Sequence, residues 1–111
     1  MRDNILKRTI IRLFFPFGSV RRILLGPCRG MSVEITPDSG HSILFGYERS
    51  HQSFLAGKIR PGMVVYDVGA HIGQYALFFA KRVGPGGRVL SFEPNPDIFE
   101  QLKRNVALNG L

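Results

Sequence analysis

The stretch Met63-Val-Val-Tyr-Asp-Val-Gly-Ala-His-Ile-Gly73 decides the fold of this 111-residue chain. It begins with a compact run rich in β-branched residues, which is typical of a strand buried in a parallel sheet. Gly69 and Gly73 then frame a loop, and the mostly apolar residues 74–83 predict a helix. A strand that passes through a glycine loop into a helix is the beginning of a doubly wound α/β sheet.

A second strand and a second helix follow. Gly84-Pro-Gly-Gly87 ends the first helix, residues 88–92 predict a strand, and residues 96–108 predict a helix. Asn95 is a suitable N-cap for that helix, and Pro96 suits its first position. We therefore predict an α/β, Rossmann-like doubly wound fold that is incomplete, because only its first two strands and helices are identifiable.

Upstream of this unit the sequence predicts a β-hairpin and a further helix. Residues 31–36 and 41–45 are β-prone runs on either side of Pro37-Asp-Ser-Gly40, which has the composition of a tight turn. Residues 48–59 carry apolar side chains at helical spacing, so a helix is expected there.

The net charge of +7 belongs to the N-terminal segment. Residues 1–30 hold seven lysines and arginines and one acidic residue, whereas residues 31–111 hold eight basic and seven acidic residues. We therefore divide the chain into a basic amphipathic segment, 1–30, and an α/β domain, 31–111. The near-neutral domain disfavours a nucleic-acid partner.

Two alternatives remain open for the basic segment. Its closely spaced charges exclude a membrane span of about 20 apolar residues. It is either an amphipathic helix that packs on the domain with its arginines in water, or a helix that makes a peripheral membrane contact. The single cysteine, Cys28, fits a reducing, cytoplasmic location. With one cysteine and scattered acidic residues, we predict no metal site.

The composition of the glycine loop restricts its ligand. Residues 69–79 contain no lysine or arginine, which excludes a phosphate-binding P-loop. The four-residue step from Gly69 to Gly73 does not match the GxGxxG pattern of nicotinamide dinucleotide sites. The loop therefore suits a ligand without phosphate, and it tolerates a cationic one.

Two carboxylates accompany the loop. Glu93 lies directly after the second strand, 20 residues beyond Gly73, where an acidic residue can accept hydrogen bonds from both hydroxyls of a ribose. Asp67 interrupts an otherwise apolar strand one residue before its end, so we expect its side chain to face the site.

These motifs together resemble a known family. Asp67-Val-Gly-Ala-His-Ile-Gly-Gln-Tyr75 resembles the first motif of class I methyltransferases, and in detail the DVGAN-I-G loop of the FkbM family. Three other elements are similar to the same family: Phe92-Glu-Pro-Asn-Pro96, Asn105 with Leu108-Asn-Gly-Leu111, and Gly46-Tyr47-Glu48. The resemblance covers roughly residues 46–111. It departs at His71, where the family usually has asparagine.

The resemblance implies methyl transfer from S-adenosylmethionine to a hydroxyl oxygen of a small molecule or glycan. It implies that Glu93 holds the ribose hydroxyls and that Tyr75 and Asn95 contribute. The residues implied to line the methionine and ribose portions are Asp67, Gly69, Ala70, His71 and Gly73. His71 is most simply a loop residue at the edge of the cleft, and no catalytic residue is identified.

The resemblance also implies a sheet of seven strands and an acceptor site beyond Leu111. We therefore expect the chain to be an incomplete domain, from a truncated reading frame or a partial sequence, that is inactive by itself. The alternatives are a non-catalytic fragment or membrane-surface module governed by residues 1–30, and a nicotinamide-dependent oxidoreductase, which the glycine spacing disfavours. The sequence does not predict the oligomeric state.

Overall fold

The computed structural model describes residues 2–39, 42–46 and 49–111. The helices in this part of the chain are α1 (Arg2–Phe14), α2 (Arg49–Ala56), α3 (Gln74–Val83) and α4 (Pro96–Ala107). The strands are β1 (Val20–Arg22), β2 (Ser32–Glu34), β3 (Val64–Val68) and β4 (Arg88–Phe92).

The fold is built on a β3–α3–β4–α4 unit, which confirms the predicted α/β class. β3 and β4 are parallel, with Val64 opposite Arg88 and Val68 opposite Phe92. The bounds of α3 and β4 are those predicted, because glycines at both ends of the connecting turn leave little choice of where each element stops. α3 forms the centre of the core, and Leu77 and Phe78 are fully buried.

The two-stranded sheet is covered on one face. Val65 and Val89 pack against the core on the covered face. Val64, Tyr66 and Val68 on the opposite face are 59%, 66% and 82% exposed. In a doubly wound fold, helices cover both faces of the sheet. The uncovered face here is what we expect of the first two strands of such a sheet without the helices of its other face.

The predicted hairpin between residues 31–36 and 41–45 is wrong. β2 instead pairs antiparallel with β1, with Val20 opposite Glu34 and Arg22 opposite Ser32. The predicted turn is nevertheless present, because the Thr36 backbone N–H donates a hydrogen bond of 2.9 Å to the Ser39 hydroxyl oxygen. Ser42–Phe45 forms a 3-10 helix rather than a strand. The consecutive Ile43 and Leu44 are both buried, whereas a hairpin strand with one face in water would bury only one of them; His41 lies outside the described residues.

The β1–β2 hairpin is held to α4 by two asparagines. Asn105 is fully buried, and its side-chain oxygen accepts a hydrogen bond of 2.9 Å from the Glu34 backbone N–H. Asn109, one turn later, bonds to both the N–H and the carbonyl of Ser32 at 2.8 Å. The hairpin edge is thus paired by side chains, so its backbone groups do not remain unsatisfied. The predicted boundary at residue 30 lies in the β1–β2 connection and stays a prediction.

The expectation that the N-terminal helix packs its apolar face on the domain is wrong for most of that face. α1 ends at Phe14, ahead of Pro16, and Ile11 is its half-buried apolar side chain. Leu6, Leu13 and Phe14 are 65%, 77% and 69% exposed. Among the helices described, none is long and apolar enough to cross a membrane.

Candidate functional site

The loops that follow β3 and β4 meet at the Glu93 carboxylate. Its Oε2 accepts a hydrogen bond of 2.9 Å from the His71 backbone N–H. Its Oε1 accepts one of 2.9 Å from the Asn95 backbone N–H. Because each oxygen is engaged by a different loop, the carboxylate is fixed at the carboxyl ends of both strands. This is the edge at which open α/β sheets bind ligands.

The first residues of the glycine loop continue the backbone pairing of β3 with β4 before the chain turns. The backbone N–H groups of Gly69 and Ala70 both donate to the Phe92 carbonyl, at 2.9 and 3.0 Å. Gly69 has φ +80°, and a Cβ atom added there would meet no atom within 4 Å. The chain therefore turns in a conformation that favours glycine, with open space beside its backbone. His71 also has a positive φ, +52°, which is uncommon for a residue with a side chain.

Gly73 is placed differently from the other loop residues. It is buried at the N-cap of α3 with φ +99°, and a Cβ atom there would lie 2.7 Å from Leu102 Cδ1. The absence of a side chain therefore allows α3 to begin in direct contact with α4. The structure gives Gly73 a packing role, and it brings the loop close to Glu93 by setting the position of α3.

Asp67 lies beneath the loop and is 9% exposed. Ser91, its register partner on β4, gives its carboxyl a side-chain hydrogen bond. The other oxygen, Oδ2, is buried and has no hydrogen-bond partner among the described residues. Burial raises the pKa of Asp67 from its ordinary value of 3.8, and the hydrogen bond from Ser91 opposes that rise. An ionised Asp67 would therefore gain from a cation or donor that reached Oδ2.

The two remaining candidates differ in their surroundings. Asn95 is the N-cap of α4, as predicted, and its side-chain oxygen accepts hydrogen bonds from the N–H groups of Asp97 and Ile98 at 3.0 and 3.3 Å. Tyr75 is half-buried, and its ring contacts Phe79 with 5.9 Å between the ring centroids. Asn95 thus shapes the loop that holds Glu93, whereas the Tyr75 ring belongs to the core.

Ser91 and Asn105 are parts of this arrangement that the sequence analysis did not assign. Ser91 could have been found from the parallel register, because it lies directly opposite Asp67 on the neighbouring strand. The sequence indicates Asn105 only as part of the motif at the end of α4. Its side-chain N–H donates to the Ile72 carbonyl at 2.8 Å, so α4 also holds the far end of the glycine loop.

The structure also has a cavity at the edge of the sheet. A groove of about 600 Å³ runs between the C-terminal half of α3, the open edge of β4 and the end of α4. Its walls include Ala80, Val89, Val106 and Leu111. None of the residues predicted to bind a cofactor lines it. The cavity therefore lies at the uncovered edge of β4, and it borders the site at Ser91, which also bonds to Asp67.

The part of the chain from Asp67 onward matches a described family. Residues 67–111 match the family model for the methyltransferase FkbM domain. This segment is thus similar to the FkbM domain of methyltransferases. The chain is 50% identical over 49 residues to a 31-O-demethyl-FK506 methyltransferase FkbM of Streptomyces tacrolimicus, across 44% of this chain and 18% of that protein. It is 42% identical over 48 residues to a protein-L-isoaspartate O-methyltransferase of Methanothrix thermoacetophila, across 43% of this chain and 23% of that protein.

The fold is also similar to that of a methyltransferase of known structure. A solved structure of a protein-L-isoaspartate O-methyltransferase superposes on this chain with a TM-score of 0.57 and 23% sequence identity. The aligned region covers all of this chain and 39% of that one. The aligned part of this chain spans about a fifth of the length of the two sequence relatives. The predicted Rossmann-like methyltransferase fold and the FkbM resemblance are thus confirmed.

Proposed function

We propose that this chain is the cofactor-binding part of an S-adenosylmethionine-dependent methyltransferase that acts on a hydroxyl oxygen of a small molecule or glycan. The observation that carries the proposal is the Glu93 carboxylate held between the two loops by His71 and Asn95. The oxygen acceptor rests on the FkbM relationship of residues 67–111.

The residues at the two loops fit this cofactor. A carboxylate has about four lone-pair sites, so Glu93 retains acceptor capacity for two ribose hydroxyls after accepting two backbone N–H groups. Gly69 leaves open space beside its backbone. The unpaired Oδ2 of Asp67 supports the same fit, since a donor from the cofactor would satisfy it.

Charge supports the same ligand class. Residues 69–79 hold no lysine or arginine, and two carboxylates, Asp67 and Glu93, border the loop. Such surroundings favour a sulfonium cation and disfavour the phosphates of a nicotinamide dinucleotide. We propose binding roles for Asp67, Gly69, Ala70, His71, Gly73, Glu93 and Asn95, with Gly73 and Asn95 acting through the shape of the loops.

S-adenosylmethionine, when bound, supplies a methyl group on a sulfonium that an acceptor oxygen can attack in line. The contribution of this chain is to fix the ribose at Glu93 and to orient the rest of the molecule along the glycine loop. Fixing one reactant in a productive orientation is a large part of the catalysis of a two-substrate reaction.

Calorimetric titration with S-adenosylhomocysteine tests the proposal. We expect the chain to bind this ligand and not NADH, and we expect Glu93→Gln to weaken binding about tenfold or more, because one charge-assisted acceptor is removed. Glu100→Gln is the matched control, since Glu100 pairs with Lys103 on the exposed side of α4. Binding of NADH alone, or equal affinities for the two variants, would contradict the proposal.

A further inference from the structure

We propose that α1 and the connection to β1 bind the surface of an anionic phospholipid bilayer, with α1 lying in the plane of the headgroups. This inference does not depend on the proposed methyltransferase function. It rests on the direction in which α1 presents its apolar side chains and on the uniformly basic charge of residues 4–33.

The apolar face of α1 points away from the rest of the protein. Successive residues of a helix are about 100° apart, so Leu6, Ile10, Leu13 and Phe14 lie on one side of α1. These four side chains are 65%, 46%, 77% and 69% exposed. Ile11 lies on the other side, where it lines a small cavity with residues of the body that include Ile35. The helix therefore offers an apolar stripe to the solvent.

Exposed apolar side chains also occur in the connection that follows the helix. The exposed large apolar side chains between α1 and β2 are Phe17, Val20, Leu24 and Leu25, each 45–52% exposed. From α1 to Leu25, the sequence therefore contains many large apolar side chains that are exposed to solvent. Extended exposed apolar surface is a mark of a protein or membrane interaction site.

The charges in this region have a single sign. Residues 4–33 contain no aspartate or glutamate. The basic residues of that stretch are Lys7, Arg8, Arg12, Arg21, Arg22 and Arg29. The Arg12 guanidinium lies 4.6 Å from the centre of the Phe17 ring, and both residues line the small cavity with Ile11, on the side of α1 opposite the apolar stripe. An exposed apolar stripe on a segment whose charges are all basic is complementary to a bilayer with anionic headgroups.

This arrangement favours a bilayer over two other occupants. Nucleic acid would require cations on the outward surface, whereas that surface of α1 is apolar. A second copy of the chain would bring two acid-free basic segments together, which repel each other. The helix cannot span a bilayer either, because 13 residues extend about 20 Å and the hydrocarbon layer is about 30 Å thick.

Vesicle flotation with the whole chain tests the proposal. We expect binding to phosphatidylcholine vesicles that contain roughly 30% phosphatidylserine, and much weaker binding to phosphatidylcholine alone. The double variant Leu6→Ser, Leu13→Ser should lose about tenfold or more in affinity, because its apolar contact is removed. The double variant Lys7→Gln, Arg8→Gln should lose about fivefold for each charge on the anionic vesicles.

Phe54→Ser is the matched control, since Phe54 is an equally exposed apolar residue, at 67%, on α2. We expect it to bind vesicles as the unaltered chain does, and circular dichroism should show the same helix content for all variants. Equal binding by the Leu6/Leu13 variant would overturn the proposal. The proposal would also be overturned if the unaltered chain did not bind vesicles and instead formed a concentration-dependent dimer that the Leu6/Leu13 variant could not form.

Discussion

The backbone N–H of His71 donates a hydrogen bond of 2.9 Å to Oε2 of Glu93, across 22 residues of sequence. The bond joins the loop after β3 to the loop after β4 without any contribution from the imidazole. The same carboxylate accepts a bond from Asn95, so one side chain fixes the relative position of both loops. The residue proposed to hold the ribose is therefore also a structural link.

The first prediction concerns this link. Glu93→Ala should lower the free energy of unfolding by about 1–2 kcal/mol, because two backbone N–H groups lose a charged acceptor at a half-buried position. Glu100→Ala, which removes an exposed ion pair, should change it by less than about 0.5 kcal/mol. Urea unfolding measures both values, and equal values would show that the carboxylate does not join the loops.

The second prediction concerns the backbone of His71. Its φ of +52° favours asparagine over residues branched at Cβ. His71→Asn should therefore raise the free energy of unfolding by about 0.5 kcal/mol, whereas His71→Val should lower it by about 1–2 kcal/mol. All three proteins retain the N–H that Glu93 accepts. Urea unfolding again provides the measurement, and a valine variant as stable as the unaltered chain would contradict the left-handed geometry.

The third prediction concerns the pH dependence that Asp67 introduces. Burial raises the pKa of Asp67 in the folded state above its ordinary value of 3.8, so the folded state binds the proton more tightly than the unfolded state. The stability contributed by this group is fully present below pH 3.8 and is lost as the pH rises through the raised pKa.

Asp67→Asn removes that loss. The variant should be more stable than the unaltered chain at pH 7, and the difference in unfolding free energy should shrink as the pH approaches 4. Urea unfolding between pH 4 and 7 measures the difference. A pH-independent difference, or a variant less stable at pH 7, would contradict this interpretation. Binding of S-adenosylhomocysteine should weaken in the same variant, which separates the ligand role of Asp67 from its effect on stability.

The fourth prediction separates steric contact from backbone strain at Gly73. Gly73→Ala places a Cβ atom 2.7 Å from Leu102 Cδ1 and forces alanine into φ +99°. Gly110→Ala is the control, since it also has a positive φ, +69°, but its Cβ atom would meet no atom within 4 Å. We expect a loss of about 1 kcal/mol for the control and about 2–4 kcal/mol for Gly73→Ala. Equal losses, by thermal or urea unfolding, would mean that α3 and α4 do not meet at this glycine.

The sequence predicted the elements whose signals are local. α3 and β4 are bounded by glycines at Gly73, Gly84 and Gly87, and Asn95 caps α4 through bonds to residues two and three positions away. The link from Glu93 to the glycine loop could be anticipated in position, because parallel strands end at the same sheet edge.

The parts that the sequence did not predict depend on long-range contacts. β2 could have paired with the chain before it or with the chain after it. The turn at Thr36–Ser39 indicated the later partner, whereas β1, which is short and rich in arginine, gave no strand signal. The bond from Asn105 to Glu34 joins residues 71 positions apart, and no local pattern indicates it. Likewise, the amphipathic composition of α1 could not reveal which of its faces lies outward.

Amide chemical shifts recorded during titration with S-adenosylhomocysteine test the central claim most directly. The account predicts that the largest changes occur at the N–H groups of Gly69, Ala70, His71 and Asn95, and that the amide of Ser32, in the hairpin beside Asn109, stays unchanged. Changes confined to the groove near Val89 and Val106, or no changes at saturating ligand, would contradict a cofactor site between the two loops.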